Sequence, residues 1–449
     1  MQILRPPQSI DVLDQSDVLV CGGGCAGVVA AVSAARHGAR VTLVERWPTI
    51  GGMATNALVT GWHRSDRQKV VINGLVEESA QRLSKHGWIR QDAQFPHAHE
   101  THWFDPEGMR IIWQQMLDEA GVKTLCYLAA GEPLLEDGRL IGVLADTKRG
   151  RRALLASVVI DATGDGDIAA KAGALFDFGR ESDGLVQGMT LMFCLRGIDE
   201  DAVRRLPPEE IHKIIDQMVY LRQQGQLPPF NEGNVRGMFL HWGAPNHLPW
   251  NVLPAAGDPL DEENLTRQNI QAHEAVVSYL DFWRQNIPGM DGADIEQTGF
   301  ALGVRESRRI RGLKTLTAEM VLGAHKQPDA IGHGVWMIDI HDPKGSGYTT
   351  YTDRNARTML AQGASYHIPL GMCLNPVFPN LAVVGRCASS SHEAHASVRV
   401  QTHCMVMGQG AGTTAALALQ SGTRLGEVDV NKLQQTLLAD GVYLQDIPG

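Results

Sequence analysis

The residues with the clearest chemical purpose are three glycines, Gly22, Gly24 and Gly27, spaced G-x-G-x-x-G. Without a Cβ, glycine turns sharply and lets the backbone approach a ligand closely. Ser16 to Cys21, just before them, is a short apolar run of the kind that forms a buried parallel strand. After them Val28, Ala31, Val32 and Ala35 recur at helical spacing between Ala26 and His37, and Gly38 stops the helix. Arg40 to Glu45 predicts a second strand. Glycines at a strand-to-helix turn inside a βαβ unit meet the structural condition for a dinucleotide site. Gly22 makes the turn, Gly24 admits the pyrophosphate and Gly27 lets helix and strand pack. The helix N-terminus offers its N–H groups to the phosphates. Glu45 ends the second strand, where an acid can accept both ribose hydroxyls. Cys21 and Cys25 flank the turn and read as small buried residues.

Other polar residues could carry protons or hold a substrate. Arg305 lies in Gly303-Val304-Arg305-Glu306, followed by Arg308, Arg309 and Arg311. This is either a solvated or phosphate-facing turn, or a segment whose Arg305 holds a carboxylate or carbonyl bidentately. His392 and His395 fall in a Ser- and His-rich loop; each could move a proton, tether a cofactor covalently or cap the loop. His341, in the strand-like run Trp336 to His341, is either a core-edge residue or part of a site. His97, His99 and His102 form H-x-H-x-x-H, but no cysteine or carboxylate set completes a zinc motif, so no metal is expected. A substrate-facing loop is the alternative reading.

The elements that must position these groups can be followed along the chain. Asp105-Pro106-Glu107 opens a helix that runs to about Ala120. Val122 to Leu128 predicts a strand. Glu132 to Glu136, Leu140 to Asp146 and Arg152 to Ala156 predict an antiparallel meander around an Asp137-Gly138 turn. Val158 to Asp161 leads into Ala162-Thr163-Gly164-Asp165, and Leu381 to Val384 ends at Gly385-Arg386. One long helix is expected from about Val398 to Gln420. Its small residues, Gly408, Gly410, Ala411, Gly412, Ala415 and Ala416, suit close packing on the Ala-rich first helix. Between about Phe178 and Tyr366 the pattern changes, with helices at Pro207 to Gln224 and Asp261 to Asn286 around a Pro/Gly/Asn-rich stretch from Leu227 to Pro259.

Glu45-Arg46, five residues and Gly51-Gly52 extend the first motif to E-R-x5-G-G. With ATGDGD at Ala162 to Asp167, GVRESRRIRG at Gly303 to Gly312, IPLGMCLNP at Ile368 to Pro376 and the GQGAG helix, the chain resembles the FAD-dependent oxidoreductase family. These are flavoproteins of the two-dinucleotide-binding type, and the resemblance runs from about residue 16 to 420. It implies an α/β fold: a Rossmann-like FAD-binding domain, with a parallel sheet and a three-stranded meander, interrupted by an α+β substrate domain. The expected division is 14–177 and 367–425 for FAD binding, 178–366 for a substrate domain whose sheet roofs the flavin, and 426–449 as an extension. The resemblance implies FAD contacts from Gly22, Gly24, Cys25, Ala26, Gly27, Glu45, Arg46, Gly51, Gly52, Met53 and Ala54. It implies others from Thr163, Gly164, Asp165, Gly385 and Arg386, with Ser397, Arg399 and Val400 facing the ring at a helix N-terminus whose dipole favours reduced flavin. Arg399, His392, His395, Arg305 and His341 are then the catalytic candidates. The sequence departs from the family at Gly371-Met372, where bulkier or basic residues are expected, so no substrate contact carries over there.

The whole-chain properties are those of an ordinary globular enzyme, with 43% hydrophobic and 20% charged residues. A formal net charge of −10 without a basic stripe argues against a nucleic-acid partner. No signal peptide or membrane-length apolar run is apparent, and seven cysteines without C-x-x-C spacing suit a reducing cytoplasm. With one dinucleotide fingerprint, the expected activity is hydride exchange between flavin N5 and a small organic substrate. A separate partner (oxygen, a quinone, another flavoprotein or free NAD(P)H) would handle the electrons, and a homo-oligomer is compatible. The alternatives are a flavin-dependent transferase or isomerase of related fold, or a non-catalytic FAD-binding subunit.

Overall fold

Val18 to Cys21 are fully buried, which requires cover on both faces of the strand they form. A computed structural model, describing residues 9–91, 101–343 and 359–448, supplies that cover. Strand β1 (Val12–Cys21) pairs in parallel with β2 (Val41–Val44), and β2 pairs with β3 (Lys123–Leu125). Helix α1 (Cys25–Arg36) crosses between β1 and β2. The predicted N-cap for the following long helix also forms: Asp105 accepts from the Gly108 N–H, with Pro106 opening Pro106–Glu119.

The meander differs from expectation. Strands β4 (Ala129–Glu136), β5 (Arg139–Thr147) and β6 (Gly150–Asp161) join the parallel strands in one seven-stranded sheet, not a separate small one. The 12-residue β6 absorbs both Arg152 to Ala156 and Val158 to Asp161, because no turn residue interrupts them. Its first half pairs antiparallel with β5, and β1 runs parallel along its length, from Val12↔Ala153 to Cys21↔Asp161.

The inserted region builds a three-stranded antiparallel sheet of β7 (Met189–Arg196), β8 (Trp250–Ala255) and β9 (Asp294–Thr298), with β7 central. Helix Glu262–Asn286, capped by Asp261, lays Trp283 against Trp250 at 4.8 Å between ring centroids, and both rings flank Phe193. The stretch rich in Pro, Gly and Asn is not without regular structure: Asn231 caps a helix over Glu232–Leu240, and β8 follows. Leu316, Val321, Ala330, Ile331 and Tyr366 pack into the core around α1, not into the core of this sheet.

The chain returns through β10 (Leu381–Val383), which pairs in parallel with the second half of β6. Beyond it the expected single helix is two: α2 (His392–Val398), capped by Ser391, and α3 (Gln401–Ser421). Val400 is extended, at φ −65° and ψ 148°, so the chain turns there and α3 starts afresh. His392 and His395 therefore lie in a helix, not a loop. Run Trp336 to His341 also departs from the strand expected, since the regular strand is Ala330–Gly334 and the chain beyond it is irregular. No helix among the described residues is long and apolar enough to cross a membrane.

The small face of α3 does what its composition suggests. Gly408 and Gly412 sit so close to α1 that a Cβ on either would run into the carbonyl oxygen of Ala26 or Ala30. Ser33 and Thr413 complete the contact with a buried 2.8 Å hydroxyl pair. Backbone atoms cannot retreat as a side-chain tip can, so Gly412→Val should destabilise the protein by about 1–3 kcal/mol or more. Urea unfolding followed by tryptophan fluorescence measures this, and a stability equal to wild type would refute the contact.

Candidate functional site

The turn after β1 is built tightly on one side and left open on the other. Gly22 has φ +108°, and a side chain there would collide with the Ala162 carbonyl, while a Cβ on Gly27 would collide with the Gly22 carbonyl. A Cβ on Gly24 would meet only the Gly52 Cα, 4.0 Å away. Gly24 and Gly51 form a parallel bridge, and the Gly51 N–H donates to the Gly23 carbonyl at 2.7 Å. Gly52 takes φ +53°, where a Cβ would come within 2.9 Å of the Gly24 Cα. The two glycine motifs, separate in sequence, thus make one bare backbone surface. Gly24 caps α1 without a side-chain bond, and no acidic residue occupies the first turn, so this end keeps its partial positive charge for an anion.

Glu45 is 5% exposed, and accepts from the N–H groups of Gly23 at 2.7 Å and Trp47 at 3.0 Å. Burial raises its pKa despite these bonds. Each carboxylate oxygen keeps acceptor capacity for a hydroxyl. Arg46 stacks over Trp47 at 5.1 Å. Cys25 and Met53 are half-buried beside the turn, and Ala26 and Ala54 are buried.

The end of β6 meets two distant segments. Asp161, which sequence reasoning passed over, accepts from Thr163 and from the N–H groups of Ile168 and Ala169, and so closes the turn Thr163-Gly164-Asp165 at the end of β6. Asp165 pairs with Arg386 at 2.8 Å and accepts from Ser307 at 2.6 Å. Burial opposes its charge, yet Arg386 and Ser307 hold its carboxyl below the ordinary range. The Arg386 guanidinium lies directly over Gly164, where a Cβ would stand 3.1 Å from Nη2. Gly385 is buried against Ala26 of α1, at φ +86°. The GxGxxG, GG, ATGD and GR segments therefore gather on one side of the sheet. Their bare glycine face, uncapped helix end, acid and ion pair fit a dinucleotide such as FAD.

A second polar cluster adjoins α2 and the start of α3. Glu306, fully buried, accepts from Arg309, from His392 Nδ1 at 2.9 Å and from the Gln187 N–H at 3.0 Å. His395 is fully buried with both ring nitrogens engaged: Nε2 with the Arg386 carbonyl at 2.9 Å and Nδ1 with Gln187 Nε2 at 3.4 Å. That assignment leaves Gln187 Oε1 to face Arg399, 3.5 Å from Nη2. Burial pushes His395 down to about 3, so the chain of bonds keeps its polarity.

Arg399 also donates to the Asp339 carbonyl at 3.0 Å and pairs with its carboxylate at 3.6 Å. His341 Nε2 lies 3.4 Å from the same carboxylate. Burial, with Arg305 next, pushes His341 down to about 4. Arg305 donates to the Gly188 carbonyl at 2.7 Å and to Asn251 at 3.2 Å. Ser397 is turned inward, bonded to the Trp336 carbonyl at 2.5 Å and the Tyr366 hydroxyl at 2.9 Å, while Val400 caps α3. The fold thus brings Arg399, His341, Arg305, His392 and His395 into connected networks. It adds Gln187, Asp339 and Asn251, for which the sequence held no spacing signal. His102 lies in a strand, Thr101–Phe104, with Nδ1 buried and without a partner among the described residues. His97 and His99 fall outside the described residues, and among the described ones no group of three or more His, Cys, Asp or Glu converges for a metal.

A family model described as FAD dependent oxidoreductase matches residues 17–437. Protein FixC from Azotobacter vinelandii is 27% identical over 172 residues, which cover 36% of this chain and only 39% of that relative. A geranylgeranyl bacteriochlorophyll reductase-like protein from Thermoplasma acidophilum covers 95% of this chain and 84% of its own at 14% identity, with a TM-score of 0.45. A flavocytochrome c3 fumarate reductase covers 90% and 78% at 14% identity, with a TM-score of 0.39.

Two tests follow from this geometry. A Cβ at Gly24 makes only an ordinary 4.0 Å contact with the Gly52 Cα, so Gly24→Val should leave the fold standing yet purify without yellow colour. A yellow variant would refute the phosphate-turn assignment. Acid should also destabilise the fold. His63, His395 and His403 are pushed by burial down to about 3 and His341 to about 4, whereas an unfolded chain protonates them near pH 6.5. The unfolded state then binds more protons between those values, so stability falls as pH drops from about 6.5 toward 4. Urea midpoints at about pH 7.5 and pH 5 measure the loss; equal midpoints would contradict it.

Proposed function

The chain belongs to the FAD dependent oxidoreductase family, and from that premise we propose that it exchanges a hydride between flavin N5 and a small organic substrate. FAD, when bound, supplies the redox chemistry at that nitrogen. The chain supplies binding, orientation and charge. Gly24, Gly52 and the uncapped end of α1 would hold the pyrophosphate, and Glu45 the ribose. Asp165 and Arg386, locked to each other, would stiffen the same site. The first turn of α3 contains no acidic residue, so its dipole favours negative charge near Val400.

The single observation that carries this reading is the gathering of the GxGxxG, GG, ATGD and GR segments beside a buried polar cluster, the arrangement a flavin and a polar substrate need together. Within the cluster His392 is the better proton carrier. Glu306 holds its Nδ1 and its side chain is 8% exposed, whereas His395 has both nitrogens engaged. His341, beside Asp339, is the second candidate. One dinucleotide fingerprint in the chain means that electrons reach or leave through a separate molecule: oxygen, a quinone, another flavoprotein or free NAD(P)H.

Anaerobic addition of the true substrate, or of the partner reductant, should bleach the flavin absorbance, and removing His392 as His392→Gln should slow that step by about 10²–10⁴-fold. Flavin absorbance unmoved by any candidate substrate or reductant would defeat the redox reading. It would favour a transferase, an isomerase or a scaffold instead.

A further inference from the structure

We propose that the substrate is an anion, a small carboxylate or similar planar oxyanion, received by the guanidinium of Arg399; this rests on the reading that the cluster at α3 is the substrate site. A guanidinium has five donors in a rigid fork. Among the described residues, both hydrogen bonds of Arg399 leave from Nη2, to the Asp339 carbonyl and to Gln187. Its Nε is buried without an acceptor. A buried N–H without an acceptor is costly, and a ligand oxygen would remove that cost.

The neighbouring carboxylates do not fill this role. Asp339 stands 3.6 Å from Arg399 and 3.4 Å from His341, distances of ion pairing and not of a bidentate bond. Glu306 is occupied by Arg309, His392 and the Gln187 N–H. Arg305 faces the same Asp339 and His341 from the side of the inserted sheet, held there by Gly188 and Asn251. His341, kept neutral at ordinary pH by burial, adds a polar edge without a charge of its own. An anion entering here would meet a planar fork held in place by Gln187 and His395, in an interior where charge is weakly screened.

The test uses the full FAD-loaded chain, titrated anaerobically with benzoate and succinate and with their neutral isosteres benzamide and succinamide. Calorimetry and the flavin spectrum are read together, at equal flavin content. The carboxylates should bind about tenfold or more tightly than the amides. Arg399→Gln should bring that ratio to about one. Arg399→Lys, which keeps the charge and loses the fork, should give an intermediate ratio. A wild-type ratio near one, absence of binding by all four probes, or an Arg399→Gln ratio equal to wild type would each overturn the proposal. A neutral substrate that bleaches the flavin while carboxylates fail to bind would also overturn it, leaving the redox reading intact.

Discussion

The contact between α1 and α3 is the constraint from which the rest of the molecule follows. Gly408 and Gly412 bring the two helices to backbone contact over Ala26 and Ala30, leaving no room for a methyl group. That approach sets where Cys25, in the first turn of α1, meets Cys404, whose thiol donates to the Arg399 carbonyl at 3.2 Å. The first turn is one wall of the bare glycine surface formed with Gly51 and Gly52. Residues 399–401 begin the second polar cluster. A larger face on α3 would part the two walls, although neither Gly408 nor Gly412 belongs to the site itself. Close packing transmits such a displacement because protein interiors have few voids to absorb it.

Burial is the second organising influence, and it acts through charge. The interior holds several histidines that remain neutral because desolvation disfavours their protonated forms. Neutrality lets His395 donate from one nitrogen and accept at the other, giving the line from Arg386 through His395 and Gln187 to Arg399 a single direction. The carboxylates are treated differently. Asp165, Glu306 and Asp339 stay ionised against the penalty of burial because cations or donors stand beside them. Charge is thus retained where close cations and donors outweigh the lost water, and suppressed where burial outweighs them.

The glycine turn after β1 was readable residue by residue, since its geometry is local. The tight turn, the close backbone approach and the helix N-terminus all fall within six residues from Gly22 to Gly27. The capping residues Asp105 and Asp261 and the small face of α3 were legible for the same reason. The break at Val400 was not, because Ser397 to Gln401 contains no proline or glycine to end a helix. The chain turns there to bury Ser397 against Trp336 and Tyr366, contacts made across more than thirty residues of sequence. The fusion of the meander with the parallel sheet was hidden in a similar way, because a strand's sequence does not name its neighbours.

The sequence by itself determined the strand-to-helix turn at Gly22 to Gly27, the Glu45 and Gly51-Gly52 signature that extends it, and which cofactor family the motifs resemble. Those facts depend on spacings short enough for backbone geometry to enforce. Only the tertiary structure decided that Gln187, Asp339 and Asn251 join Arg305, His341 and Arg399, and that His395 is sealed while His392 is held by Glu306. These pairings link residues 54 to 212 positions apart or lie in irregular chain. Packing brings them together, and no periodicity records it.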